Sequence, residues 1–263
     1  MPSVREICEA IENFAPRELQ ESYDNSGLQI GDPGMEVKAA LLCLDVTEDI
    51  LEEAISKECN MIVSHHPLLF KGLRSITGES VGERIVIKAL KHDVAIYSAH
   101  TNLDSAWDGV SHEIAHTIGL TDLQVLVPGS SGPMTGLGLT GRLPKPVPAM
   151  EFLRNVKEKF RSKCLRYSTR TPKLVVRTVA VCGGAGGSMI KSAIDAGADV
   201  YVTGDLKYHD FTDYGLDILL ADIGHFESEL CAEKIFSRVI REKFPNFVTY
   251  YAEAGKNPVG FIC

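Results

Sequence analysis

Hydrophobic positions follow two periods along the chain, one typical of amphipathic helices and one typical of buried strands. Apolar residues at three- and four-residue spacing predict a helix over residues 4–15. The apolar runs at 38–45 and 61–64 predict buried strands, and the stretch Glu48–Cys59 between them predicts a helix with Thr47 as its N-cap. Strands that alternate with helices in this way indicate mainly parallel sheets covered on both faces.

The same order of elements recurs in the second half of the chain. Residues 177–182 and 200–203 predict strands, and residues 188–196 predict a helix between them. A stretch rich in Gly and Pro, 128–150, separates the two copies, although GLGLTGRL within it is also consistent with a strand. We therefore expect an α/β protein of two related three-layer domains, 1–127 and 151–263, joined by the linker region 128–150.

Each copy also places polar residues directly after its last predicted strand. The strand VAIYSA leads to His100 and Asp104, and the strand DILLAD leads to His225 and Glu229, so a carboxylate follows each histidine by four residues. The carboxyl ends of parallel strands are where open α/β sheets bind ligands. We therefore expect the functional site at these ends.

Histidines are concentrated at the ends of predicted strands. Five of the eight lie there, namely His65, His66, His100, His209 and His225. Adjacent side chains of an extended segment point to opposite faces, so His65 and His66 reach one site only if the chain turns, as Pro67 favours. A buried core histidine next to a surface histidine explains the pair equally well.

The carboxylates favour a metal site over that structural interpretation. His225 and Glu229 share one helical face at their four-residue spacing, and Asp104 occupies the equivalent position in the first copy. Together with His65 and His66 they supply three imidazoles and two carboxylates, a set that suits two ions with open coordination positions. Nitrogen and oxygen ligands without thiolate indicate Zn, Mn, Fe, Co or Mg.

A second motif, in the predicted helix 106–119, resembles a zinc-protease signature. The residues His112, Glu113 and His116 match HExxH. At about 100° per residue, both histidines face away from the apolar stripe that contains Val110. A solvated helix face is therefore the preferred interpretation, and the protease is the alternative.

Several other residues are candidates for supporting chemistry. The run from Cys182 to Ser188 joins a strand to a helix and forms either a backbone-lined anion site or a tight turn for close packing. His100 and His209 are candidate proton carriers, or partners that orient a metal ligand. Three basic residues near predicted strand ends are candidate anion contacts, with a solvated loop as the alternative: Lys71, Arg74 and Lys207.

Composition narrows the class of protein but not its function. The chain has 263 residues, of which 44% are hydrophobic and 24% charged, and this composition excludes a disordered or fibrous protein. A formal net charge of −8 argues against a duplex DNA partner. No apolar run approaches the ~20 residues of a membrane helix, and no signal peptide is evident. The seven cysteines lack a CxxC pair, so we expect reduced thiols and a cytoplasmic protein.

Four ordered motifs, SHHPLLFKGLRSITG, AHTNLDSAWDGV, VTGDLKYHD and DIGHFESE, resemble the NIF-three-like family. Members of this family are often labelled GTP cyclohydrolase type 2 homologues. The segment DNSGLQIGDP is similar to the opening motif of the family, with Tyr23 at a position where we expect Trp. The resemblance covers nearly the whole chain.

The resemblance implies a dinuclear metal site between two related α/β domains and a ring-shaped hexamer. Carried over residue by residue, it assigns His65, His66, Asp104, His225 and Glu229 as ligands of two divalent ions, with Glu229 bridging them. Some members carry an inserted domain between the halves, and the linker in this chain is too short for one.

Two functions remain open from the sequence. The first is a metal-dependent hydrolase that acts on a nucleotide-like or phosphorylated small molecule, which the family label also implies. The alternative is a non-catalytic oligomeric scaffold, or a metal-responsive regulator that binds protein partners. A shared fold does not decide between them.

Overall fold

The computed structural model describes residues 1–169, 171 and 175–262. Its helices are α1 (Val4–Phe14), α2 (Glu48–Ser56), α3 (Val81–Lys91), α4 (Thr101–Ser105), α5 (Val110–Ile118), α6 (Ala149–Lys159), α7 (Ile190–Asp195), α8 (Tyr208–Tyr214), α9 (His225–Glu229) and α10 (Ala232–Lys243). Its strands are β1 (Gly27–Ile30), β2 (Ala39–Cys43), β3 (Met61–Ser64), β4 (Ala95–Ser98), β5 (Thr121–Pro128), β6 (Gly136–Pro148), β7 (Arg166–Tyr167), β8 (Val175–Ala185), β9 (Val200–Gly204), β10 (Leu219–Asp222) and β11 (Val248–Tyr251).

Local sequence rules account for where the first helices begin. Ser3 caps α1 and forms a capping box with Glu6, whose carboxylate accepts from the Ser3 backbone N–H at 2.8 Å. The predicted N-cap of α2 is confirmed, because the Thr47 hydroxyl accepts from the Ile50 N–H at 3.2 Å.

The chain divides into two compact units. The first comprises Met1–Leu103 and Ala232–Lys256. Its five-stranded sheet has the order β1-β4-β3-β2-β11, in which only the β1–β4 pair is antiparallel. Strands β2 and β3 are buried along their whole length, as expected for strands covered on both faces. Helices α2 and α3 pack with them in one apolar core.

The second unit comprises Asp104–Cys231 and the chain from Asn257 onward. Its sheet has the order β5-β6-β8-β9-β10-β7. Strands β8, β9 and β10 are parallel, whereas β5, β6 and β7 pair antiparallel. The predicted α/β class is confirmed, and this second sheet is mixed rather than mainly parallel.

The predicted domain boundaries stay a prediction, but the compact units group some elements differently. Strand β11 pairs in parallel with β2, with Thr249 opposite Ala40, so the end of the chain completes the first sheet. The stretch 128–150 contributes the 13-residue strand β6 to the interior of the second sheet.

The cysteines and the lengths of the helices bear on two expectations drawn from composition, reduced thiols and the absence of a membrane helix. Six cysteines are free, and the seventh, Cys263, lies outside the described residues. Across the described part of the chain, no helix combines the length and apolarity needed to cross a membrane.

Candidate functional site

Three histidines of the first unit lie together at the carboxyl ends of β3 and β4. The ring centroids of His65 and His66 are 5.1 Å apart, and that of His100 lies 5.3 Å and 5.5 Å from them, respectively. One ring nitrogen of each lies within 4.8 Å of the others, close enough for the group to hold a metal ion. We call these three residues the histidine cluster.

The backbone after β3 explains why two adjacent imidazoles lie side by side. The N–H groups of His65 and His66 donate to the carbonyls of Cys43 and Leu44, which extends the pairing with β2 beyond the strand. The Ser64 hydroxyl then donates to the His66 carbonyl at 3.0 Å and closes a turn over two residues. The chain therefore bends at the pair.

Each imidazole of the histidine cluster has its Nδ1 on an acceptor. His65 donates to the Ala99 carbonyl at 2.8 Å. His66 donates to Asp45 at 2.8 Å, and His100 donates to Asp24 at 2.9 Å. Because carbonyl and carboxylate oxygens accept, the proton of each neutral ring is on Nδ1 and the lone pair is on Nε2. Metal-binding histidines are oriented in this way.

Asp24, the acceptor for His100, is itself held by further hydrogen bonds. Its side chain is fully buried and also accepts from the backbone N–H and the hydroxyl of Thr101. Burial raises the pKa of Asp24, but the hydrogen bonds from His100 and Thr101 outweigh it and hold that pKa well below its usual range. The ionised carboxylate therefore fixes the His100 ring.

The second unit brings His225 and Glu229 together across one turn of α9. The Nε2 of His225 lies 2.8 Å from Oε2 of the buried Glu229. This distance confirms that the four-residue spacing puts the two side chains on one helical face. The Nδ1 of His225 donates to Asp205 at 2.9 Å, the same arrangement as in the first unit.

Glycines make room for the Glu229 carboxylate. A Cβ at Gly184 would lie 2.1 Å from Oε1 of Glu229, and the backbone there has a φ of +62°. The Gly184 N–H donates to the Ser228 hydroxyl at 2.9 Å, which ties β8 to α9. Of the two interpretations of the glycine run, close packing describes Gly184.

Asp222 organises the turns that carry this second group. Its buried carboxylate accepts from the backbone N–H of Leu206 at 2.9 Å and of Gly224 at 3.0 Å, and it is paired with Arg166. It therefore links the residue after Asp205 to the residue before His225.

Asp104 lies close to Glu229, with a carboxylate oxygen of one within 4.8 Å of a carboxylate oxygen of the other. Burial first, and then the charges of Asp104 and Glu229, raise the pKa of the Cys182 thiol far above its usual value. Burial and nearby carboxylates, these two among them, do the same for Cys231. Both thiols are therefore protonated at neutral pH and are poor metal ligands.

Four other predicted residues belong neither to the histidine cluster nor to the His225–Glu229 pair. Lys71, Arg74, Lys207 and His209 are exposed. The His209 ring contacts Tyr208 edge-on at 5.6 Å. Within the described chain, His209 belongs to no cluster of three metal-ligand side chains.

The HExxH residues do not form a metal site among the described residues. His116 is exposed, and Nε2 of His112 lies 3.7 Å from the Asp108 carboxylate. No three-residue cluster of described ligands includes either histidine. His116 agrees with a solvated helix face, whereas His112 and Glu113 are half-buried and the His112 ring lies 6.2 Å from that of Trp107.

Sequence reasoning identified the histidines but missed the acceptors that orient them. Asp45 follows β2, Asp205 follows β9, and Asp24 precedes β1. For Asp45 and Asp205 the sequence offers one signal, a carboxylate at the end of a predicted strand, and for Asp24 it offers none. The donor set as a whole, imidazole Nε2 and buried carboxylate oxygens with protonated thiols, fits a divalent metal ion.

Relatives of this chain share both its length and its fold. A protein from Clostridium acetobutylicum named GTP cyclohydrolase 1 type 2 homolog is 36% identical over 237 residues, covering 89% of this chain and 88% of the relative. NIF3-like protein 1 of Drosophila melanogaster is 30% identical over 262 residues, covering 96% of this chain and 87% of the relative.

Solved structures agree with the sequence comparison. The crystal structure of a Bacillus cereus protein related to NIF3 superimposes with a TM-score of 0.91 at 26% identity, covering 100% of this chain and 99% of that one. Reduced HcgD from Methanocaldococcus jannaschii superimposes with a TM-score of 0.81 at 28% identity, covering 96% of this chain and 98% of that one. A profile of one family matches residues 2–258, and this confirms the resemblance found in the motifs. The chain belongs to the Duf34/NIF3 (NGG1p interacting factor 3) family.

Proposed function

We propose that the chain is a metal-dependent hydrolase of a nucleotide-like or phosphorylated small molecule. Two divalent ions would be held by imidazoles and carboxylates: His65, His66, Asp104, His225 and Glu229. The observation that carries the proposal is the shared orientation of the imidazoles. Each has Nδ1 on an acceptor, so Nε2 is the ring atom that would bind an ion, and Nε2 of His225 lies 2.8 Å from the Glu229 carboxylate. When bound, a divalent metal supplies a Lewis acid that acidifies a coordinated water.

The chain's own residues would orient the ligands and move protons. Asp45 and Asp205 hold the rings of His66 and His225. His100, fixed at Nδ1 by Asp24, can exchange a proton only through Nε2, which suits a proton carrier next to the ligands His65 and His66. His209 is a second, exposed candidate for that role.

Exposed basic residues would bind the negatively charged phosphate of the substrate. Lys71 and Arg74 lie on the segment that follows the histidine pair, and Lys207 follows β9. Guanidinium and ammonium groups are suited to phosphate oxygens. The names of the bacterial relatives, GTP cyclohydrolase 1 type 2 homolog, support a nucleotide-like substrate.

Metal content and turnover test the proposal together. We expect about two ions per chain by elemental analysis of protein loaded with Zn, Mn or Fe, and turnover of GTP or of one phosphoester from a panel. Glu229→Gln should lower both the metal content and the turnover. His116→Ala is the matched control, since that histidine is exposed and should leave both unchanged. Metal-loaded wild type that turns over no member of the panel would refute the hydrolase.

A non-catalytic regulator is the second candidate, favoured by the family description as an interacting factor. Affinity capture at native concentration tests it. A stoichiometric protein partner that requires metal, with no turnover, would establish this function in place of the first.

We also propose a homo-oligomer, a hexamer by the family resemblance. Sedimentation velocity at micromolar concentration measures the assembly. A single species with the mass of one chain would refute the hexamer.

A further inference from the structure

Two exposed aromatic rings stand beside the histidine cluster. The ring of Phe70 meets the His100 ring nearly at right angles, at 77° and 6.1 Å between centroids. The ring of Tyr23 lies 6.3 Å from Phe70 at 56°. Tyr23 is 62% exposed and Phe70 is 43% exposed. We call Tyr23 and Phe70 the aromatic pair.

Residues next to Tyr23 and next to Phe70 make hydrogen bonds that fix the two chain segments carrying the aromatic pair. Next to Tyr23, Asp24 accepts from His100, and the Asn25 side chain donates to the Leu69 carbonyl at 2.7 Å. The Leu69 N–H, next to Phe70, donates to Gln29 at 3.2 Å. The two rings are therefore attached to the same framework that orients the histidine cluster.

The segment after Phe70 is anchored at its far end as well. The Glu83 carboxylate accepts from the backbone N–H groups of Thr77, Gly78 and Glu79 at 2.9, 2.9 and 3.2 Å. Between these anchors the chain is exposed and carries two cations, Lys71 and Arg74. Positive charge thus follows directly on the exposed aromatic surface.

This combination matches one kind of small molecule. The face of an exposed aromatic ring stacks on a planar heteroaromatic ring largely irrespective of which base it is, whereas Lys and Arg recognise phosphate oxygens. An aliphatic or purely sugar phosphate would use the cations but leave both rings in water.

We infer that Tyr23 and Phe70 receive the planar heteroaromatic ring of an anionic, nucleotide-like substrate, and that Lys71 and Arg74 contact its phosphate. The inference rests on the proposed function, because it concerns the substrate of the same site. It assigns base recognition to the aromatic pair and charge recognition to the adjacent segment.

Equilibrium binding tests this assignment without requiring turnover. The probe is 2-aminopurine riboside 5′-monophosphate, whose fluorescence is quenched by stacking, and the comparison ligand is ribose 5-phosphate. Both are titrated into metal-loaded protein. Phe70→Leu and Tyr23→Leu keep an apolar side chain but remove the ring. Each should weaken binding of the probe at least about fivefold and reduce the quenching, without changing the affinity for ribose 5-phosphate.

Two further variants separate stacking from a general effect on the protein. Phe70→Trp preserves an aromatic face and should retain the affinity for the probe. Tyr250→Leu removes a tyrosine of the first unit that is 41% exposed and whose ring lies over Lys57, and it should bind both ligands as the wild type does.

The inference and the proposed function can fail separately. Unchanged affinity for the probe in both leucine variants would overturn the inference, as would no binding of the probe by wild type. An equal loss of affinity for ribose 5-phosphate, or a changed oligomeric state of the leucine variants, would also overturn it. None of these results bears on whether metal-loaded wild type hydrolyses a phosphoester, which the turnover panel measures.

Discussion

One buried carboxylate should make the stability of the first unit fall as the pH rises. Glu233, the second residue of α10, is 8% exposed. Burial raises its pKa to about 7, and the negative charge of Glu53 adds to the effect. Helix α10 packs against β2, and the charge of Glu233 adds to burial in raising the pKa of the buried Cys43 thiol on that strand.

The sign and size of the effect follow from proton linkage. Between the ordinary pKa of 4.5 and the raised value of about 7, the native state binds more protons than the unfolded chain. The free energy of unfolding therefore decreases across this window and levels off above it. Each tenfold change in proton affinity is worth about 1.4 kcal/mol, so the full effect is about 3 kcal/mol.

Glu233→Gln keeps the shape of the side chain and cannot ionise. Relative to wild type, its free energy of unfolding should therefore rise by about 3 kcal/mol in total between pH 4.5 and pH 8.5. Urea unfolding at several pH values, at one fixed free metal concentration, measures this difference. Glu242→Gln on the exposed end of the same helix is the control and should show no such trend. A difference between Glu233→Gln and wild type that stays within about 0.5 kcal/mol at all pH values would refute the reasoning.

Three other substitutions examine the site itself. Asp205→Asn should weaken metal binding by about 10–100-fold, measured by titration calorimetry, because the amide no longer fixes Nδ1 of His225 as a carboxylate does. Gly184→Ala should destabilise the protein by about 2 kcal/mol and lower metal content, since its Cβ would meet Oε1 of Glu229 at 2.1 Å. Glu113→Gln should leave metal content and hydrolysis unchanged, whereas in a zinc protease that glutamate is the general base.

Matched variants show whether these effects are specific. Asp213→Asn changes an exposed carboxylate on α8 and should leave metal affinity at the wild-type value. Gly82→Ala adds a Cβ to open space and should not destabilise α3. Equal metal affinity of Asp205→Asn and wild type would remove the orienting role of Asp205. Wild-type stability of Gly184→Ala would show that the contact with Glu229 is not tight, and loss of activity in Glu113→Gln would restore the protease interpretation.

The spacing of apolar residues and the N-cap predicted helices such as α1 and α2 and parallel strands such as β2 and β3, because those signals lie within the element itself. The choice of a neighbouring strand is not encoded within the element in this way. The place of β11 beside β2, for example, depends on contacts that its own residues do not encode. Strand β6 was seen only as a segment inside a linker, since its Gly and Pro residues resemble a turn-rich connection.

Only part of the candidate site could be predicted, because only some of its residues give a local signal in the sequence. Histidine is rare enough that its concentration at strand ends carries information, whereas an aspartate in a turn is common. Asp45, Asp24 and Asp205 act on histidines that are 21, 76 and 20 residues away in sequence, respectively. Such pairs become visible only once the order of the strands is known.

That order explains why both units contain the same construction. In a parallel sheet, neighbouring strands end side by side, about 4.8 Å apart, so a carboxylate after one strand reaches an imidazole after the next. Asp45 and His66 follow the neighbours β2 and β3, and Asp205 and His225 follow the neighbours β9 and β10. The antiparallel β1 achieves the same result by beginning where β4 ends, which brings Asp24 to His100. A shift of one residue in any of these registers would turn a carboxylate to the opposite face, so strand pairing and imidazole orientation depend on each other.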